Sequence, residues 1–127
     1  MADTNGIQVF VHPEYVNSQF DIRDNFYIWI YHIKISNKTK EAVQVMGRYW
    51  KIIDERGGVQ EVTGDGVVGE QPVLAPDTMF QYSSGVHLRY PSGIMYGHYN
   101  IKKANGEIIT IQIPAFSLDL PGNSIIH

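Results

Sequence analysis

Three glycines in the stretch GDGVVGEQP have a spacing that could serve to bind a phosphate group. Gly64-x-Gly66-x-x-Gly69 is the spacing with which a Rossmann protein holds a dinucleotide pyrophosphate. That chemistry requires the glycines to open a helix whose N-terminal amides face the phosphate. Here Pro72 and Pro76 follow closely and would interrupt any helix interior. The sequence therefore predicts a loop between strands and not a Rossmann-type dinucleotide site.

A glycine-rich loop can still bind an anion, because glycine permits positive φ angles and consecutive amides can form an anion-binding nest. An ordinary bulged turn is the simpler interpretation, and both stay open. Arg48 would supply a counter-charge if the fold brought it near the loop. The candidate residues of this interaction or anion-binding loop are Gly64, Asp65, Gly66, Val67, Val68, Gly69, Glu70 and Gln71.

Other side chains that could do chemistry lack the spacing that the chemistry needs. The five histidines include no His-x-His or His-x-x-x-His pair, and no acidic cluster stands at ligand spacing, so no metal site is predicted. Ser83, Ser84 and His87 lie close together, but QYSSGVH is not a nucleophile elbow, and no acid is placed to orient the histidine. We predict no catalytic residue and no cofactor. The histidines are His12, His32, His87, His98 and His127.

Composition limits the class of protein and its partners. The chain has 127 residues, 43% of them hydrophobic and 18% charged, which is typical of a single folded domain over residues 1–127. The net charge is −3 and the basic residues are scattered, so nucleic acid is not expected as a partner. The absence of cysteine excludes disulfides. No secretory signal or membrane span is recognisable, so a cytoplasmic protein without a membrane partner is expected.

Alternating apolar and polar residues predict that these side chains stand on strands. In FYIWIYHIKISN, residues such as Trp29, Tyr31 and Ile33 share one face. Seven strands at this spacing predict an all-β, fibronectin type III or immunoglobulin-like β-sandwich. The predicted strands are 7–16, 26–37, 42–54, 59–63, 79–84, 93–102 and 107–116.

Turn residues predict how the strands connect. The strands at 26–37 and 42–54 are expected to form an antiparallel hairpin, and Asn105-Gly106 is the strongest hairpin turn signal. Residues 1–6 and about 119–127 are expected to be loosely ordered tails.

The aromatic residues suggest both a core and a contact surface. Trp29 and Trp50 are expected to pack in the core of the sandwich. Tyr49 should then face the opposite way, and with Arg48 nearby it is a candidate contact surface, although a bulge at Gly47 would shift the register.

The strings MGRYWKIID, VTGDGVVGEQPVLAPDTMFQYSSG and GIMYGHY closely resemble the bacterial ApaG family, from about residue 7 to the end. The resemblance implies a fibronectin type III-like sandwich, a domain also found in eukaryotic F-box and polymerase-interacting proteins as a protein-binding module. It also implies a genetic association with a diadenosine tetraphosphatase and with cobalt and magnesium homeostasis, but no established catalytic activity.

Together these observations predict a non-enzymatic module that binds a protein partner through end loops or an exposed edge strand. A homodimer through an edge strand is a further expectation. The alternative is a sensor of phosphate, pyrophosphate or a dinucleoside polyphosphate at the glycine loop. Besides that loop, the expected contact residues are Arg48, Tyr49, Tyr82, Ser83, Ser84 and Gly85.

Overall fold

Nine strands make up the regular structure of the described part of the chain. The computed structural model describes residues 1–16 and 26–120. The alternating burial of most long strands follows from their alternating sequence, because successive side chains point to opposite faces of a sheet. The strands are β1 (Ala2–Thr4), β2 (Ile7–Val16), β3 (Tyr27–Asn37), β4 (Val43–Asp54), β5 (Val59–Asp65), β6 (Val73–Leu74), β7 (Met79–Leu88), β8 (Ser92–Lys102) and β9 (Ile108–Asp119).

The strands form two antiparallel sheets. The first has the order β1-β2-β3-β7, and the second has the order β5-β4-β8-β9, with the short β6 also paired to β4. Seven long strands match the seven that the sequence predicts, and β1 and β6 are additional. The predicted all-β sandwich is therefore confirmed.

The core lies between the two sheets and is rich in aromatic residues. Trp29 and Trp50 are 4% and 1% exposed, which confirms that both pack in the core. The Tyr31 ring of the first sheet meets the Trp50 ring of the second edge-on, with ring centroids 5.1 Å apart. Phe116 adds a further edge-on contact to Trp50 at 6.0 Å. Such edge-to-face contacts join the sheets more specifically than apolar burial alone.

The predicted hairpin between the strands at 26–37 and 42–54 is wrong, because β3 and β4 belong to different sheets. Asn37, which is fully buried, turns the chain at the end of β3. Its Nδ2 donates to the carbonyls of Glu41 and Leu74, both at 2.9 Å. Its Oδ1 accepts from the amide of Thr39 at 2.9 Å and from the Thr39 hydroxyl at 2.6 Å. These bonds lead the chain across to the second sheet.

The connection between β8 and β9 is the hairpin that the sequence predicts. Asn105 and Gly106 form its tip, Gly106 has a φ of 88°, and the Gly106 amide donates to the Lys103 carbonyl at 2.9 Å. Gly106 therefore occupies the left-handed conformation that its position requires.

The ends of the described chain are more ordered than predicted. Residues 1–6 are not a loose tail, since Ala2–Thr4 form β1 and pair with Ile7–Val9 of β2. At the other end, β9 continues to Asp119, whose carboxylate accepts a hydrogen bond from the Ser92 hydroxyl. The remainder of the predicted C-terminal tail, residues 121–127, lies outside the described residues.

The two long sides of the sandwich differ. On one side β2 packs beside β9, and the amide of Gln112 donates to the Thr4 hydroxyl at 3.3 Å. On the other side β7 and β5 are the sheet edges, and the described residues add no further strand to either edge. A side-chain hydrogen bond crosses this open side, from the Gln60 Nε2 to the His87 carbonyl at 3.1 Å.

We expect Asn37→Ala to lower the free energy of unfolding by about 3 kcal/mol, because it leaves the buried Leu74 carbonyl and the Thr39 amide without partners. Urea denaturation of the variant beside Asn100→Ala checks this. Asn100 is only partly buried, and its one side-chain bond, from the Thr110 hydroxyl, is long at 3.5 Å. Its replacement should cost under about 1 kcal/mol. Equal losses in the two variants would contradict the role given to Asn37.

Candidate functional site

The glycine-rich loop forms a tight hairpin turn. The amide of Val67 donates to the Glu70 carbonyl at 2.7 Å, and the amide of Glu70 donates back to the Val67 carbonyl at 2.9 Å. Between them, Val68 and Gly69 have φ angles of 46° and 79°. Two central residues with positive φ define the two-residue turn that joins tightly twisted strands. The loop is therefore a turn, as predicted, and no helix follows it.

Most of the hydrogen-bonding groups of this loop bind within the protein. The Gly66 amide donates to the Met46 carbonyl at 2.8 Å, so the amides of Gly66, Val67 and Glu70 all have internal acceptors. Arg48 does lie beside the loop, but its Nη1 donates to the carbonyls of Asp65 at 3.3 Å and Gly66 at 3.0 Å. This arrangement argues against an anion-binding nest formed by the loop amides, because these N–H groups already donate to carbonyls.

A β-bulge in β4 determines where Arg48 points. The register against β8 shifts between Val45 and Gly47, so the alternation of faces changes at Met46. Arg48 then points between the sheets with Trp50, while Tyr49 faces outward. The expectation that Arg48 and Tyr49 share one contact surface is therefore wrong, because consecutive strand residues point to opposite faces and the bulge makes Arg48 the inward one.

Tyr49 has its own contacts on the outer face of the second sheet. Its ring stacks on His98 with centroids 5.1 Å apart. Its hydroxyl donates to the Glu61 carboxylate at 2.9 Å, and this hydrogen bond raises the pKa of Tyr49. Tyr49 therefore joins three neighbouring strands, β5, β4 and β8, on a surface away from Arg48.

A cleft of about 320 Å³ opens between the edges β5 and β7. Arg48 is the one Lys, Arg, Asp or Glu that lines it. Within the described ranges no carboxylate lies within 4.0 Å of the Arg48 guanidinium. The cleft is thus a partly apolar groove with a single unpaired cation. Its other polar lining residues include Tyr31, Gln60 and Ser84.

A group of tyrosine hydroxyls lies between the sheets near Arg48. The hydroxyls of Tyr82 and Tyr99 hydrogen-bond to one another, and burial raises the pKa of both phenols well above the ordinary value. Burial also raises the pKa of Tyr31, although its hydrogen bond with Ser84 and the charge of Arg48 act in the opposite direction. These phenols are neutral donors at physiological pH.

Ser83 points to the outer face of the first sheet and ends a row of hydrogen-bonded side chains. His32 Nδ1 lies 2.6 Å from the Ser83 Oγ, and His32 Nε2 lies 2.8 Å from the Glu14 Oε2. These residue types resemble a Ser-His-acid triad. However, the side chains of His32 and Glu14 are 42% and 59% exposed, and Ser83 stands on an extended strand. Water weakens such exposed interactions, and the nucleophile elbow that exposes an activated serine is missing.

The described part of the chain shows neither a set of metal ligands nor a helix that could span a membrane. Residues 1–16 and 26–120 contain no group of three His, Cys, Asp or Glu side chains placed to hold a metal ion. His12 stacks on His32 with ring centroids 6.0 Å apart, but His32 is already bonded to Glu14 and Ser83. No helix in the same residues is long and apolar enough to cross a membrane.

The fold brings together some of the predicted contact residues and separates others. Arg48, Ser84 and Gly85 line the cleft, and Tyr82 lies between the sheets beside it. Ser83 and Tyr49 face outward on different sheets, and residues 64–71 lie at the Arg48 end of the cleft.

The sequence did not indicate that Glu14 and His32 form a hydrogen-bonded row with Ser83, or that Gln60 lines the cleft. His32 pairs with His12 on one side and with Ser83 on the other, which follows only from the strand register. No local pattern in the sequence signals this.

The fold and the cleft define a class of protein: an all-β sandwich of two antiparallel sheets with an open side between two edge strands. A family model described as the ApaG domain matches residues 17–103. The chain belongs to the ApaG family.

Individual relatives are similar to this chain over nearly its whole length. Protein ApaG of Sinorhizobium fredii is 51% identical over 121 residues, which are 95% of this chain and 93% of the relative. Protein ApaG of Parvibaculum lavamentivorans is 49% identical over 94% of this chain and 92% of its own length. A crystal structure from Bordetella pertussis superposes with a TM-score of 0.87 at 39% identity, covering 95% of this chain and 98% of that one.

Val68 holds a left-handed conformation that a β-branched residue rarely adopts, and its side chain is 59% exposed. We therefore expect Val68→Asn to raise the free energy of unfolding by about 1 kcal/mol, because Asn followed by Gly69 suits this turn. Val59→Asn is the matched control, since Val59 is 52% exposed on β5 with ordinary backbone geometry. Denaturant melts of both variants check this, and a gain in both would show that backbone strain is not the cause.

Tyr82 and Tyr99 should make the protein sensitive to alkali. Their pKa values are higher in the folded protein than in the unfolded chain, where they are about 10. Their contribution is therefore complete below about pH 10 and is lost as pH rises further, because only the unfolded chain releases these protons. Urea midpoints measured from neutral to strongly alkaline pH should fall less steeply for a Tyr82→Phe, Tyr99→Phe double variant. Identical pH profiles would contradict this account.

Proposed function

We propose that this chain is a non-enzymatic protein-recognition module that binds an extended segment of a partner by adding it as a strand beside β7. In this mode, backbone hydrogen bonds give affinity and alternate side chains give specificity. The observation that carries the proposal is a ten-residue edge strand, Met79–Leu88, with no partner strand on its outer side among the described residues.

The backbone groups of β7 that face outward follow from its pairing with β3. The Asn37 amide donates to the Thr78 carbonyl at 3.0 Å, so this position bonds inward toward β3. Antiparallel positions alternate between inward and outward bonding. Gln81, Ser83 and Gly85 are therefore outward positions. The His87 carbonyl, which accepts from Gln60 across the open side, agrees with this alternation.

The sequence of β7 does not protect this edge. Native edge strands are commonly shielded by charged residues, proline, bulges or covering elements. MFQYSSGVHL contains no Lys, Arg, Asp, Glu or Pro, and the register of β7 against β3 is unbroken. The other open edge, β5, carries Glu61 and Asp65. This contrast supports β7 as the binding edge.

Replacing Ser83 by proline tests the proposal, because it removes an outward-facing amide while leaving the bonds to β3 in place. Short peptides selected from a random displayed library against the wild-type protein should protect the amides of Gln81, Ser83 and Gly85 from hydrogen exchange. We expect Ser83→Pro to weaken these peptides about tenfold or more and Ser83→Ala, which keeps the amide, to leave them nearly unchanged.

Failure to select any peptide, or peptides that bind Ser83→Pro and wild type equally, would refute strand addition at β7. A second copy of the chain is the alternative occupant of this edge. In that case sedimentation would show a dimer that Ser83→Pro dissociates and Ser83→Ala does not. Circular dichroism and denaturant melts of both variants confirm that they remain folded.

A further inference from the structure

We infer that the segment added at β7 carries an acidic side chain that enters the cleft and pairs with Arg48. This inference rests on the proposed strand addition and specifies a negative charge in the partner segment. It concerns the cation that the fold places between the sheets, for which the described residues supply hydrogen-bond acceptors but no counter-ion.

Arg48 has unused donors of the right kind. A guanidinium carries five N–H groups in a rigid plane. Its Nη1 donates to the carbonyls of Asp65 and Gly66, which fixes the plane of the group against the turn. The donors on Nε and Nη2 have no acceptor among the side chains and backbone groups that the structure describes. Two such donors match the two oxygens of a carboxylate, which arginine binds in a bidentate manner.

The position of Arg48 matches the path of an added strand. Side chains of paired strands that lie opposite each other point to the same face of the sheet. A residue opposite Ser84 would therefore point inward as Ser84 does, toward the cleft that Ser84 and Arg48 both line. Its neighbours on either side would lie opposite Ser83 and Gly85, where the outward backbone groups of β7 are available. A single acidic residue can thus bind in the cleft while its own strand pairs with β7.

The surroundings of the cleft select for negative charge. No Asp or Glu side chain lines it, and Arg48 is its one Lys, Arg, Asp or Glu. Glu61 of the opposite edge faces outward, where its carboxylate accepts from Tyr49 at 2.9 Å. The hydroxyls of Tyr31 and Ser84 add neutral donors. An entering carboxylate would meet a cation and hydroxyl donors with no competing acid in the lining.

Two synthetic peptides test the inference on the wild-type protein. One is acetyl-Thr-Val-Thr-Glu-Thr-Val-Thr-amide, and the other replaces the central Glu by Gln, so that the two have the same shape and strand propensity. Amide and Arg Nε resonances of isotope-labelled protein are followed by NMR during titration. We expect both peptides to shift the amides of Gln81, Ser83 and Gly85. The Glu peptide should bind about tenfold more tightly and alone shift the Arg48 Nε resonance.

Arg48 variants provide the second arm of the experiment. In Arg48→Gln the preference for the Glu peptide over the Gln peptide should fall to about onefold, because the charge is gone. Arg48→Lys keeps the charge but loses the planar pair of donors, so it should retain only part of the preference. Amide spectra of both variants show whether the glycine turn is intact, and the peptide comparison on wild-type protein does not depend on them.

The outcomes separate this inference from the proposed function. Equal binding of the two peptides, with shifts at β7, would overturn the acidic preference and leave strand addition standing. Binding of neither peptide to β7 would refute strand addition and, with it, this inference. A preference for the Glu peptide that Arg48→Gln leaves unchanged would place the carboxylate elsewhere and overturn the inference.

Discussion

The buried amide of Asn37 is the interaction on which the arrangement of the sandwich depends. Its side chain bonds to Thr39, Glu41 and Leu74, which lie on the connection to β4 and on β6. One polar side chain thereby holds the crossing between the sheets and the short strand that covers it. A buried polar group is tolerable only when its hydrogen bonds are made, so the site accepts few other residues. If β3 and β4 formed a hairpin instead, both strands would lie in the same sheet.

That crossing determines which side chains meet in the core and at the open side. Because β3 and β4 lie on opposite sheets, Tyr31 and Trp50 face each other across the interior. The bulge at Met46 then adds one residue to β4, which turns Arg48 inward. Without that extra residue, the normal alternation would point Arg48 to solvent. A crossing and a bulge, both local in the chain, thus place a cation between β5 and β7.

The strands and most of the core could be predicted from the sequence because they depend on local alternation. Tyr31, Ile33 and Ile35 share a face by spacing alone, and all three are buried. The hairpin error at Asn37 arose because turn residues do not reveal whether the next strand stays in the same sheet. The link between Ser83, His32 and Glu14 was not predictable either, since it depends on the register of three strands distant in sequence. The spacing of apolar residues shows which side chains share a face of a strand. The register between strands, and the sheet to which each strand belongs, are set by pairing between distant parts of the chain.

The charge of Arg48 is better explained by recognition of a partner than by stabilisation of the glycine turn. Arg48 is half-buried, so its guanidinium has lost part of its hydration, which neutral carbonyl acceptors replace only in part. The bonds from Arg48 to the carbonyls of Asp65 and Gly66 need N–H donors but no charge. The positive charge is therefore the property that the turn itself does not require. A carboxylate entering from outside would lower the energy of that charge, because the partly desolvated cleft strengthens the attraction between them. The protein would then gain its counter-ion on binding, which makes recognition of an acidic strand energetically favourable at this edge.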